Sequence, residues 1–171
     1  MGCDIHLFKE YRSPDINNNK WVSYDYWYSE GTNTSIYDTA GLPLAKKHTI
    51  PMGRAFDDSA PSRNYDAFGM LAEGVRTEYP YSIECKGLPD DVTYLVRTEH
   101  KGWGADAHSA TYFTEVELNA LIIRLSIMTA DETINRQKAY LHHMLQYMNQ
   151  IPFEFHIEES TEKRIVFWFD N

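Results

Sequence analysis

The chain has 171 residues, of which 43% are hydrophobic, so it buries a core within one domain and is not a disordered tail. Its formal net charge of −9 argues against gripping duplex nucleic acid through the phosphates, which takes a large basic footprint. A small phosphorylated ligand stays open, because it needs only a local patch or a metal.

Residues 3–11 alternate in the strand period, with Cys3, Ile5 and Leu7 on one face and Asp4, His6 and Phe8 on the other. A polar turn around Ser13-Pro14-Asp15 and Asn17-Asn18-Asn19 leads to a second strand over Trp21 to Tyr28. Residues 29–61 lack a sustained period and read as a long loop or insertion. Ser62 is placed to N-cap a helix running to about Glu73, with Tyr65, Phe68, Leu71 and Val75 at helical spacing and Gly74 ending it. Tyr79 to Lys86 reads as a short extended stretch, Gly87 to Asp91 as a turn and Thr93 to Thr98 as a strand.

His100 to Ser109 is Gly-rich and irregular. Thr114-Glu115-Val116-Glu117 is a capping box that opens a helix carrying Leu118, Leu121, Ile122, Leu125 and Met128 on one face. A second helix, or the far half of one bent helix, follows Asp131 and stops before Pro152. Phe153 to Ile157 and Arg164 to Phe169 read as a terminal hairpin. The expected fold is one α+β domain over residues 1–171. It has a mostly antiparallel sheet of about five strands and two to three helices on one face.

Cys3 and Cys85 are the only cysteines, too few for a disulfide framework, so a reducing compartment is expected. Asp4 and His6 sit where a signal peptide needs apolar residues, and no apolar run reaches membrane-spanning length. His6 stands where a myristoylation signal wants Ser or Thr. The expected location is the cytoplasm.

Asp4-Ile5-His6 and Asp106-Ala107-His108 are both Asp-x-His. On extended backbone, residues two apart share a face about 7 Å apart, so a carboxylate and an imidazole can meet one ion. If both pairs converge, Asp4, His6, Asp106 and His108 hold one or two divalent metals, with Asp106 and His108 at the chemistry. The competing view keeps His6 as a hydrogen-bonded sheet residue and Asp106 as a loop cap. Trp103 and Ser109 flank the second pair as ligand contacts. Serine catalysis by Ser109 with His108 is disfavoured, since neighbours in sequence point apart and no Gly-x-Ser-x-Gly elbow is present.

Arg63 and Arg76 are forks for phosphate, and Tyr24, Tyr26, Trp27 and Tyr28 are stacking candidates, although aromatic strands usually form core. His142 and His143, adjacent on a helix, face different ways and read as structural, like Cys85. Asp170 joins the Asp4/His6 edge if the last strand lies beside the first.

Asp4-Ile5-His6 is similar to the opening motif of calcineurin-like phosphoesterases, but Gly-Asp-x-x-Asp and Gly-Asn-His are missing, so that family is not assigned. Met1 to His6, Arg63 to Phe68, Leu71 to Arg76, Gly87-Leu88-Pro89, Trp103 to Ser109 and Arg164 to Asn171 together resemble a family of small tailed-bacteriophage proteins. Residues 29–61 fall outside that resemblance. It implies a phage-encoded protein acting in the bacterial cytoplasm, and no particular reaction.

Two functions follow. The first is a metal-dependent hydrolase of a phosphorylated or nucleotide-like small molecule. The second is a non-catalytic protein that sequesters such a ligand or blocks a host protein.

Overall fold

A computed structural model describes residues 3–14, 19–29, 35–37, 52–54, 60–76, 79–150 and 161–170. Its strands are β1 (Ile5–Arg12), β2 (Val22–Ser23), β3 (Tyr26–Ser29), β4 (Ser35–Tyr37), β5 (Met52–Arg54), β6 (His108–Thr114) and β7 (Glu162–Phe169). Its helices are α1 (Tyr65–Leu71), α2 (Tyr94–Trp103), α3 (Glu115–Ser126) and α4 (Glu132–Asn149).

The main sheet has four strands in the order β2-β1-β7-β6, all pairs antiparallel. β7 is central and takes β1 along its whole length, from Ile5↔Phe169 to Arg12↔Glu162. The strand expected at Thr93 to Thr98 is instead the start of α2, and β6 takes the fourth place in the sheet. Within the expected loop of residues 29–61, β4 and β5 flank β3 in a separate three-stranded sheet. The strand expected at Phe153 to Ile157 lies outside the described residues.

Alternation along β1 and β7 sends side chains to two cores. Leu7, Phe167 and Phe169 join Phe113, Leu118, Leu125, Leu141, Met144 and Phe68 under α1, α3 and α4. Phe8, Val166 and Trp168 join Leu95, Val96 and Trp103 of α2 on the other side. Helices therefore cover both faces, where a single covered face was expected. That explains the near-continuous apolar run in β7, whose residues 164–169 are all buried.

Local signals set the helix ends. Thr114 accepts from Glu117 N–H at 3.2 Å, and Glu117 returns a contact from Thr114 N–H at 2.8 Å, so the capping box forms. Asp131 accepts from Ile134 N–H at 2.8 Å and opens α4, so residues 127–131 separate two helices. The cap of α1 is Asn64, which accepts from Ala67 N–H at 3.1 Å, rather than Ser62.

A buried polar network ties α2 to the sheet. Arg164 Nε donates to Glu10 at 2.6 Å and Nη1 to Asp91 at 2.7 Å, and Thr93 N–H donates to Glu10 at 2.8 Å. Trp21 Nε1 donates to Asp91 at 2.9 Å, and the Arg164 guanidinium lies 3.9 Å from the Trp21 ring centre. Burial pushes the Glu10 carboxyl above its ordinary range, and the facing Arg164 pulls it back in part.

Candidate functional site at one end of the sheet

β1 begins, β7 ends and β6 begins at the same end of the sheet, with Ile5 and His108 both paired to Phe169. Asp170, just past β7, closes this end. Its N–H donates to the Asp4 carbonyl at 3.1 Å, and its Oδ1 accepts from Asp4 N–H at 2.7 Å. Its Oδ2 lies 3.3 Å from His6 Nε2, with both side chains mostly covered. A carboxylate so placed fixes the orientation of the imidazole.

The His6 ring is held between aromatics, with its centre 4.2 Å from that of Trp103 and 5.7 Å from that of Trp168. Trp103 comes from the last turn of α2, so the tryptophan segment does reach the first Asp-x-His. His100, one helical turn earlier, meets Trp168 edge-on at 5.0 Å, and burial holds its pKa below the usual imidazole value.

Asp4 is engaged by Arg63, whose Nε and Nη2 donate to the two carboxylate oxygens at 2.7 and 2.5 Å. The fork holds the Asp4 carboxyl below the usual range and raises the pKa of Arg63. Arg63 and Arg76 both lie against the Tyr65 ring, at 5.9 and 4.7 Å. Burial pushes the Cys3 thiol up, and a hydrogen bond with Arg76 counters it.

His108 sits on the opposite face from His6. His6 pairs with Trp168 and His108 with Phe169, one residue further along β7, and their rings follow those partners. The His108 ring stacks near Phe169 at 6.2 Å, and its Nδ1 lies 3.1 Å from Ser109 Oγ. The contact between sequence neighbours, against expectation, accompanies a left-handed Ser109 with φ 53°. No carboxylate completes a triad, because His108 Nε2 is buried and has no partner among the described residues.

Asp106 ends a 3-10 turn (Gly104–Asp106) and is exposed. With Glu99, Gly102 and Trp103 it lines an open cavity of about 370 Å³. The expected four-residue metal centre therefore does not assemble. His6 and His108 are separated by the sheet, Asp4 is taken by Arg63, and Asp106 faces solvent. Among the described residues, no three His, Cys, Asp or Glu side chains are grouped to hold an ion.

The end of the sheet nonetheless collects Asp4, His6, Arg63, Trp103, His108, Ser109 and Asp170. A second buried polar atom here, Trp168 Nε1, also has no partner among the described residues.

Sequence reasoning missed His100, which lies in a segment without a motif. Tyr24 is fully buried and donates to the Met148 carbonyl, which makes it a core residue. The side chains of Tyr26, Trp27 and Tyr28 lie outside those described. His142 and His143 are both exposed on α4. Among the described residues, no helix is long and apolar enough to cross a membrane. Compared with known proteins, the chain matches no family model, no curated protein and no solved structure.

Proposed function

We propose that this chain hydrolyses a phosphorylated or nucleotide-like small molecule at the sheet end, with His6 as the proton-transfer group. The observation that carries the reading is the contact between His6 Nε2 and Asp170 Oδ2, made by residues 164 apart in sequence. A carboxylate that orients one ring nitrogen leaves the other to take a proton from water. The water oxygen then bonds to phosphorus, the bond to the leaving oxygen breaks, and the proton held by His6 passes to that oxygen. Arg63, beside Asp4, supplies the charge that meets the phosphate.

In this reading proton transfer carries the step and needs no metal at Asp4, His6, Asp106 or His108. The resemblance to tailed-phage proteins supports a phage-encoded protein working in the bacterial cytoplasm and bears on no reaction. A second reading, sequestration without turnover, is favoured by the cover over His6, whose side chain is 18% exposed beneath Trp103.

Turnover of a panel of nucleotides and sugar phosphates decides between them. His6→Asn is expected to lower turnover about 10²- to 10⁴-fold with the fold intact. Asp170→Asn is expected to lower it less. EDTA is expected to change neither rate. A fully active His6→Asn variant refutes the mechanism, EDTA-sensitive turnover restores the metal-dependent one, and binding without turnover establishes sequestration.

A further inference from the structure

We propose that a cavity between residues 62–64 and one side of α4 recognises a phosphomonoester group. The cavity is about 300 Å³ and is lined by Ser62, Arg63, Asn64, Arg136, Tyr140 and His143. That volume is at the lower end for small-molecule sites and suits a phosphate with part of a sugar. Two guanidinium groups, one from each side, and an imidazole line this cavity in a chain of net charge −9.

Neither guanidinium is used up by its carboxylates, and Arg63 also has a side-chain hydrogen bond with Tyr65. Arg63 places Nε and Nη2 on Asp4, while Arg136 places Nε on Asp66 and Nη1 on Glu132, each at 2.9 Å. The third nitrogen of each lies outside those contacts. Planar forks of this kind share their N–H groups between a carboxylate and a phosphate. The Asn64 carbonyl is occupied by the α1 cap, so its amide is the group left to donate.

Tyr140 is the independent pointer. It is 6% exposed, and its hydroxyl is buried with no hydrogen-bond partner among the described residues. A buried hydroxyl without an acceptor is costly to the fold, and a phosphate oxygen is an acceptor. Neighbouring Gln137 shows the contrast, since its amide donates to the Asp66 carbonyl and its Oε1 accepts from Tyr81.

The inference rests on the proposed reaction for its catalytic consequence only, because Arg63 links the cavity through Asp4 to the Asp170–His6 contact. Titration calorimetry of the full chain in chloride buffer, with inorganic phosphate and with a nucleoside 5′-monophosphate, tests it. Both are expected to bind at one site. Equal affinities identify free phosphate as the ligand, and a tighter monophosphate identifies the nucleotide.

Arg136→Ala is expected to weaken binding roughly tenfold or more. Tyr140→Phe is expected to weaken it several-fold while leaving the ligand-free Tm unchanged or higher, which a tyrosine needed only for packing would not do. No binding at millimolar phosphate, or wild-type affinity in both variants, overturns the proposal. His6→Asn separates it from the reaction: phosphate binding is expected to survive that change. Turnover without phosphate binding refutes the cavity alone, and binding without turnover refutes the proton-transfer role alone.

Discussion

Arg164→Met removes the cation against which Glu10 is buried. Glu10 is 0% exposed and Arg164 3% exposed, and their contact is 2.6 Å. After the change Glu10 keeps the Thr93 N–H at 2.8 Å but faces no countercharge in this network. Stranding one member of a buried ion pair costs about 3–5 kcal/mol. Asp91 loses the same partner, but its side chain is 58% exposed and water replaces the contact, adding under about 1 kcal/mol.

The loss is a large share of a domain stability of about 5–15 kcal/mol. With a urea m-value of about 2 kcal/mol/M, the midpoint at pH 7 falls by roughly 1.5–2.5 M. Two controls isolate the cause. Glu10→Leu together with Arg164→Met removes both charges and is expected to recover much of the loss. In Arg164→Met alone, burial leaves the Glu10 pKa raised in the folded state. Stability is then highest below the unfolded carboxyl value of about 4.3 and is lost as pH rises through the folded value. The single variant should therefore be closest to wild type in acid. A single variant within 1 kcal/mol of wild type at pH 7, or a double variant no better than the single, refutes the account.

Two further changes probe other parts of the fold. Burial lowers the His100 pKa, so His100 contributes stability that is complete above the unfolded value of about 6.5 and is lost as pH falls from there through the folded value. His100→Gln is expected to flatten the difference in urea midpoint between pH 5.5 and 7.5, and an unchanged slope counts against it. Thr114→Ala removes the acceptor for Glu117 N–H and is expected to cost about 1 kcal/mol, read as a lower thermal midpoint, with no effect on phosphate binding.

Local chemistry made part of this legible. The capping box at Thr114 and Glu117 signalled the start of α3 by residue type and spacing alone. The expectation that the last strand lies beside the first, bringing Asp170 to Asp4 and His6, rests on both chain ends reading as strands whose pairing ties them down, and the pairing of β1 with β7 bears it out. Thr93 to Thr98 misled because Thr-Tyr-Leu-Val-Arg-Thr has the β-branched and aromatic content of a strand. Thr93 makes no side-chain cap, so no start signal marked α2. What makes it a helix is tertiary: Leu95 and Val96 bury against Val166 and Trp168, and Thr93 N–H is held by Glu10.

The two Asp-x-His segments show a different limit. Their shared end of the sheet was a fair inference, but their faces depend on register. One residue of offset along β7 reverses the face, and β6 carries an irregularity between His108 and Thr111 that periodicity cannot reveal.

The dimensions of α2 connect the buried network to the candidate site. Glu10 pairs with Arg164 and His6 with Trp168, so the two places lie four residues apart along adjacent strands. At about 3.4 Å per residue that is about 14 Å. Thr93 and Trp103 are ten residues apart on one helix, and at 1.5 Å per residue they are about 15 Å apart. Pinning Thr93 to Glu10 therefore sets Trp103 level with His6, where the two rings meet at 4.2 Å. The aromatic cover of the His6–Asp170 contact is thus positioned by ion pairs at the other end of the helix. A charge-bearing core, which a protein this size could replace with apolar packing at little cost in stability, here fixes the placement of a helix over a site.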